Sequence, residues 1–486
     1  MRGEKIIGWL YLRRRMLYFG GFLLGTSIHS ITPLTKYSPN VWTVLSLIFF
    51  LTFLVTKHRY RFISIAIAML ILGLLRFDLS VPASLPSNFE STPAVIQNIW
   101  QSRYGKKANI SIDGAKVQIN LKDNIPIGSK IKLTCKLKPR LKEEGQSNYQ
   151  FYMWQYYAMG YCGNAKIQMV ADPPWYDLRH AFYTWREQAN RRIMGVIPGD
   201  EGILIAGLLY GERNLSPAAK ELFRRAGLTH IIAVSGSNFT IIVTVVFSIL
   251  LGLGLWRHQA FTITTAAMLL FFGFVGFSAS VARAAIMGWV LLLSRQLGRS
   301  PNIWHLCLLS AFLLALIDPW MPAYDAGFAL SFLATMGLVT WTPIFTKLFH
   351  PLPAAAGLRE AAATTGAATL MTMPYIAFVF GRVSLAGLFT NLIAVPLVPW
   401  AMLFGAISAG FGAFHHTINL PGLGLSKLIF ISARIADVFP WMDIHINGMN
   451  VIILIGTYAL IIRLWFLLSE KNDLYTKQSI FCNPHT

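Results

Sequence analysis

A polytopic helical membrane protein of about twelve spans, with a small β domain outside the membrane, is the fold class this chain predicts. Three observations predict it. The 486 residues are 55% hydrophobic and only 13% charged, with a mean hydropathy of +0.52, which excludes an ordinary soluble enzyme. Apolar runs long enough to cross a hydrocarbon layer recur along the chain. Over residues 81–174 those runs give way to short alternating segments, the period of half-buried strands.

The charge adds a constraint. There are 42 Lys+Arg against 21 Asp+Glu, a formal net charge of +21. Many of these charges follow the preference of cytoplasmic loops for Lys and Arg. The excess points to a polyanionic partner, either nucleic acid or an anionic lipid surface.

Residues 1–80 read as three spans. Arg2, Lys5, Arg13, Arg14 and Arg15 precede an apolar segment at 16–32, which places the N-terminus in the cytoplasm. Further apolar segments follow at 41–56 and 62–79, and the loop between them, Lys57-His58-Arg59-Tyr60-Arg61, is again basic. Three crossings leave the next residues outside.

Residues 81–174 form the outer β domain. Alternation over 107–113, 115–121 and 130–138, a hairpin signal at Asp113-Gly114 and a further strand near 165–170 predict a five-stranded barrel. Lys130, Lys132, Lys136 and Lys138 alternate with inward apolar residues, and Tyr149, Phe151, Tyr152, Trp154, Tyr156, Tyr157 and Tyr161 follow. Lysines track phosphates and rings stack bases, so this combination suits a single-stranded nucleic acid. The same aromatics equally suit packing on the barrel or a belt against lipid headgroups. Cys135 and Cys162 are candidates for a disulfide in an oxidising compartment, whereas Cys307 lies in an apolar span and Cys482 in the tail.

Residues 175–228 are amphipathic, as expected of helices lying in the interface. Arg179, Arg186, Arg191 and Arg192 interleave with aromatics. Ser216-Pro217 then opens a helix carrying Lys220, Arg224 and Arg225. On the outer side these cations run against the positive-inside preference, so Arg213, Arg224 and Arg225 join the lysines as candidates for polyanion capture.

Residues 229–470 contain nine expected spans, at 229–255, 260–277, 281–298, 303–317, 324–341, 361–380, 384–412, 422–438 and 449–467. Arg257, Arg295, Arg299, Lys347 and Arg359 fall on the cytoplasmic side, Asp318 and Asp325 outside, and the tail 471–486 returns to the cytoplasm. The seventh segment holds Pro396 and Pro399, which predicts a broken helix or two half-spans.

Few polar groups interrupt these spans, so each is a functional candidate by default. His230, Ser235, Gly236, Ser237 and Asn238 punctuate the start of the first, and Arg283, Asp325, Ser331, Arg382 and Asn391 follow in later ones. A satisfied helix entrance and a structural Arg283–Asp325 pair compete with a wetted path. Enzymatic chemistry has little support. Five residues separate His230 from Ser235, which puts them on different helix faces outside any Gly-x-Ser-x-Gly frame. No glycine-rich loop ending in Gly-Lys-Ser/Thr occurs, and His415-His416 and Asp443/His445 lack metal-ligand spacing. No enzyme activity, cofactor or metal is expected.

The motifs Leu208-Leu209-Tyr210-Gly211-Glu212-Arg213, Ala226-Gly227-Leu228-Thr229-His230-Ile231-Ile232-Ala233-Val234-Ser235-Gly236, Ser280-Val281-Ala282-Arg283-Ala284, Gly327-Phe328-Ala329-Leu330-Ser331-Phe332 and Asn391 through Pro396 to Pro399 resemble, in order and spacing, the ComEC family of competence channels. The resemblance covers about residues 200–400, and the outer segment from Gly128 to Gly160 is similar to the family's OB-type domain. It implies an OB-like domain that receives DNA and a channel that passes one strand across the bacterial cytoplasmic membrane. It also implies a cytoplasmic ATPase or helicase motor and an outer DNA receptor as partners, and leaves a separately encoded nuclease open as a further one. Path residues would be His230, Ser235, Gly236, Asn238, Arg283, Asp325, Ser331 and Asn391. The family commonly has His at the position of Asn238. Many members carry a metallo-β-lactamase-like domain whose His-x-His-x-Asp-His cluster does not occur here, so nuclease activity is not expected. The alternative reading is a transporter or enzyme for a small or lipidic anion, and a scaffold whose outer domain binds protein or glycan is a third.

Overall fold

The computed structural model describes residues 18–27, 61–80, 88–102, 105–112, 115–121, 125–139, 160–162, 165–174, 177–212, 214–232, 234, 236–276, 279–298, 302–351, 357–412, 415–446 and 449–470. The expected span at 41–56, the aromatics of 149–157, Arg213, Ser235 and the tail 471–486 lie outside them. The chain divides into two compact units, Met1–Glu187 with Phe239–Ala329 and Gln188–Asn238 with Leu330–Thr486.

In the first unit the alternating segments form a sheet of seven strands among the described residues, two more than expected, in the order β5-β6-β3-β2-β1-β4-β7. The strands are β1 (Asn88–Ser102), β2 (Gly105–Ile112), β3 (Ala115–Leu121), β4 (Lys130–Lys136), β5 (Lys138–Pro139), β6 (Gly160–Cys162) and β7 (Lys166–Ala171). Strand β1 pairs with both β2 and β4, and its register shifts between Ile96 and Asn98 and between Phe89 and Thr92. Such bulges increase the local twist and bend a strand, which lets one long strand serve two parts of a curled sheet.

The inward side chains make one apolar core that includes Phe89, Ile96, Ile110, Ile119, Ile131 and Leu133. On β4, burial alternates strictly, with Ile131, Leu133 and Cys135 inside and Lys130, Lys132 and Lys136 outside. Cys135 and Cys162 are disulfide-bonded with a Cα–Cα distance of 6.0 Å. Four sheet steps separate β6 from β4, which in a flat sheet would be roughly 19 Å. The sheet is therefore curled until its two sides meet.

The helices of this unit include 18–27, Arg61–Asp78 and Ile303–Ile317. Gly21 and Gly25 stand one turn apart, and a Cβ on either would run into the backbone carbonyl of Ala66 or Leu70. Small residues at i and i+4 allow this close crossing of apolar helices. Gly25→Leu is therefore expected to lower the amount of folded protein in the membrane several-fold, because the obstacle is backbone and overpacking of this kind costs about 1–3 kcal/mol or more. Quantitative blotting of the membrane fraction checks it, and parental levels would refute it.

Among the described residues, nine long helices from Gly236 onward follow the expected spans in order: Gly236–Gly252, Arg257–Val275, Ala279–Gln296, Ile303–Ile317, Ala326–Leu348, Leu358–Phe380, Gly387–Phe411, Leu420–Val438 and Val451–Glu470. Among the described residues, six helices are long and apolar enough to cross a membrane, and three shorter ones are apolar as well. The chain is a membrane protein. Two expectations need correction. The segment 229–255 is not one helix, since Thr229–Ile232 forms a separate short helix. The seventh segment is unbroken: Gly387–Phe411 runs for 25 residues through Pro396 and Pro399, a tolerance that membrane helices show when neighbours re-satisfy the freed backbone groups.

Within each unit, hydrogen bonds join the ends of elements that are far apart in the chain. In the first, Arg76 donates from Nε to Leu316 O and from Nη2 to Ile317 O, both at 2.9 Å. It thereby satisfies carbonyls that the end of helix Ile303–Ile317 leaves open. Trp320 Nε1 donates to Ser80 Oγ at 3.0 Å. At the opposite ends, Gln296 Nε2 meets His258 Nδ1 at 2.9 Å. In the second unit, β8 (Arg382–Ser384) pairs with β9 (Asp443–His445), joining two loops that are both expected outside.

Candidate functional site

The site is built, in the second unit, on three helices from the stretch expected to lie in the interface. The last part of Leu178–Val196 and the helices Asp200–Tyr210 and Pro217–Arg225 supply it. Asp200–Tyr210 departs from the interfacial expectation: Gly202, Leu204, Ile205, Ala206, Gly207, Leu208 and Tyr210 are buried. An all-round apolar helix belongs inside a bundle, and here Ile205 packs where a Cβ at Gly405 would stand.

Asp200 does two jobs. As an acidic residue in the first turn it suits the positive end of its helix. Its carboxylate also accepts from Ser216 N at 2.8 Å and Ser216 Oγ at 2.6 Å. Ser216 Oγ in turn accepts from Ala219 N at 3.1 Å, so the Ser-Pro pair starts Pro217–Arg225 as its sequence predicts.

That helix ends on Gly227, at φ 68°. Gly227 N donates to Arg224 O at 3.1 Å and Leu228 N to Phe223 O at 2.8 Å, the pair of bonds of a Schellman stop. Two further carbonyls are taken by side chains far along the chain. Ser384 Oγ donates to Arg225 O at 2.6 Å and Thr390 Oγ1 to Ala226 O at 2.7 Å. Backbone also meets backbone, since a Cβ on Gly227 would lie 2.9 Å from Gly387 Cα.

Around this junction the charges are paired. Asp443 Oδ2 lies 2.7 Å from Arg382 Nη2 and 3.5 Å from Arg224 Nη2, and Arg225 Nη1 lies 3.0 Å from Asp437 Oδ1. Arg224 also pairs with Glu221. The hydrogen bond from Arg224 holds the Glu221 carboxyl below the usual carboxylate range, and the reciprocal bond raises the Arg224 guanidinium. Arg224 and Arg225, expected as capture cations, are thus already engaged with carboxylates. Glu221, Asp437 and Thr390 carry no expectation from the sequence, and Ser384 and Asp443 have no role there. Ser384 and Thr390 act across 159 and 164 residues, which no local pattern announces, whereas the i,i+3 spacing of Glu221 and Arg224 is a local signal.

The expected path residues distribute as follows. In the second unit, Asn238 is 2% exposed and its Nδ2 donates to Leu208 O at 3.3 Å, so it ties the start of the Gly236–Gly252 helix to Asp200–Tyr210. His230 is exposed on the short helix Thr229–Ile232. Asn391 stands one turn after Gly387 with a buried Oδ1 that has no partner among the described residues. Ser331 is half-buried, its carbonyl accepting from Thr335 Oγ1 at 2.9 Å.

In the first unit, Arg283 is half-buried on Ala279–Gln296, with Nη1 3.5 Å from Met287 Sδ. Asp325 Oδ1 accepts from Phe328 N at 2.7 Å, which makes it the cap of helix Ala326–Leu348. Lys130, Lys132, Lys136 and Lys138 are exposed on the curled sheet. Strands β2 to β7 together carry eight lysines and no acidic residue. Among the described residues no group of His, Cys, Asp and Glu is arranged to hold a metal ion.

A family model described as "Competence protein" matches residues 208–471. ComE operon protein 3 of Bacillus subtilis (strain 168) is 24% identical over 359 residues, covering 70% of this chain and 44% of that relative. The chain thus matches less than half the length of this relative. No solved structure matches.

Proposed function

The chain belongs to the competence protein family, whose model covers more than half of it, and from that membership we propose that it is the transmembrane channel through which single-stranded DNA enters the cytoplasm during natural transformation. The observation that carries the reading is the span of the match, which includes the junction at Gly227, the buried Asn238, Arg283, Asp325 and Asn391. A strand carries about one charge per nucleotide, so its path needs wetted polar walls. His230, Ser235, Gly236, Asn238, Arg283, Asp325, Ser331 and Asn391 would supply them.

The curled sheet serves as the outer capture domain. Its β1 contacts to both β2 and β4, together with the parallel β3–β6 pair, support an OB-like barrel. The lysine-rich strands β2 to β7, which carry no acidic residue, suit a polyanion. In this reading the protein sits in the cytoplasmic membrane with about twelve spans, both termini inside and the sheet outside. The contacts of Arg76, Trp320 and the β8–β9 pair support the alternation of sides. The chain conducts the strand without cleaving it. A cytoplasmic ATPase or helicase motor supplies the energy, an outer receptor delivers DNA and a separate nuclease removes the second strand.

Uptake of labelled DNA by a deletion strain tests the proposal, with loss of cytoplasmic label as the expected result. Normal uptake would end it. Complementation with Arg283→Ala is expected to restore the protein to the membrane and not the uptake. Loss of the protein itself would instead assign Arg283 a structural role.

A further inference from the structure

Beyond Lys130, Lys132 and Lys136 of β4, the sheet presents a second polar face, of which the sequence singles out only Lys138 and Tyr161. Pairing registers align Lys138, Tyr161, Gln118, Asn109 and Asn98 directly across β5, β6, β3, β2 and β1. Residues opposite one another in a sheet share a face, so this is one continuous row over five strands. The alternate residues of β2 and β3, among them Ala108, Ile110, Val117 and Ile119, point into the core, which fixes the row as outward.

Tyr161 is the aromatic residue of this row, and its surroundings hold its ring in place. Asn120 Nδ2 donates to the Tyr161 hydroxyl, Lys107 Nζ stands 5.6 Å from the ring centroid, and the next residue, Cys162, is bonded to Cys135. The ring is half-buried, with amides beside it and lysines on both flanks. Amide side chains offer both donors and acceptors to base edges, the lysines match phosphates, and a fixed ring is what a base stacks on. No carboxylate on β2, β3, β5 or β6 opposes an anion there.

We propose that this face is a base-contacting subsite for single-stranded nucleic acid, with Tyr161 as the stacking platform, Lys107 and Lys138 as phosphate contacts, and Gln118 facing the base edges. The proposal rests on the DNA-uptake reading and sharpens it. The β4 lysines act on charge alone, whereas the Tyr161 face distinguishes a strand that bears bases from a bare phosphodiester chain.

The test uses the full chain in phosphatidylcholine nanodiscs, with fluorescent oligothymidylate and an abasic phosphodiester of the same length. Tyr161→Ala is expected to weaken oligothymidylate binding roughly tenfold and to leave the abasic strand unchanged, while Tyr161→Phe retains most of the affinity. Lys107→Gln is expected to weaken both strands and to reduce the slope of log K against log salt by about 0.7. Equal losses for both strands in Tyr161→Ala, or no loss for either, would overturn the subsite and leave the DNA reading standing. Failure of the parent protein to bind either strand would remove both. Phosphatidylglycerol vesicles that displace the oligonucleotide from the parent and bind Tyr161→Ala more weakly would reassign the face to lipid and overturn the proposal.

Discussion

Gly227→Val is expected to abolish DNA uptake by removing most of the folded protein. Two independent penalties meet at this position. The backbone sits at φ 68°, where an L-residue with a side chain pays about 1–2 kcal/mol. A Cβ would also stand 2.9 Å from Gly387 Cα, and because the obstacle is backbone no side-chain rotation relieves it, which adds about 1–3 kcal/mol. Moving the two segments apart would strain the bonds from Ser384 and Thr390 to the carbonyls of Arg225 and Ala226. Thermal unfolding in detergent and uptake in complemented cells measure the effect. Gly227→Asn separates the two causes, since Asn tolerates the left-handed conformation and still carries a Cβ. If Gly227→Asn unfolds like Gly227→Val, close approach dominates, and if it matches the parent, the dihedral does. A Gly227→Val protein as stable as the parent would contradict both.

Asp443→Ala is expected to be the most damaging change among the paired charges, and more damaging than Glu221→Ala. The Asp443 side chain is 11% exposed and serves two arginines, Arg382 and Arg224, whereas Glu221 is 53% exposed. Removing Asp443 leaves two partly sheltered guanidinium groups facing one another without their shared counter-ion. Removal of a partner from a charge-assisted bond costs about 1.5–3 kcal/mol, toward the lower end here because Arg382 is 34% exposed. A double-mutant cycle with Arg382→Ala isolates the pair, and a coupling of about 1 kcal/mol or more is expected. Additive effects on unfolding would show that the β8–β9 junction does not depend on it.

Much of the helical framework was legible because hydrophobic runs act locally. Each helix from Arg257 onward begins or ends within a few residues of its expected span, and the strands at Lys130–Lys136 and Lys166–Ala171 follow directly from alternation. The longest strand, β1, escaped notice because Pro93 and two bulges break the period of two along Asn88–Ser102. The helix Asp200–Tyr210 read as interfacial because its apolar run is short. Its burial comes from Gly202, Gly207 and the partner position Gly405, where missing side chains allow backbones to approach, and periodicity carries no record of such contacts. The motif stretch around Gly227 was visible as an unusual sequence. Its junction with Ser384, Gly387 and Thr390 was not, since nothing local announces a bond across 159 or 164 residues.

The interleaving of the two units has a consequence for how the chain is made. Residues 188–238 belong with 330–486, while 239–329 belong with the N-terminal third. A ribosome working from the N-terminus therefore exposes the first part of the second unit long before its partners exist. Helix Pro217–Arg225 must wait for Ser384, Thr390, Asp437 and Asp443 while the entire remainder of the first unit is inserted. Contacts of such long sequence separation close slowly. During biosynthesis the unsatisfied carbonyls of Arg225 and Ala226 and the arginines beside them are thus the groups that an insertase or chaperone has reason to shield, and a chain released at residue 329 would leave them permanently without their partners.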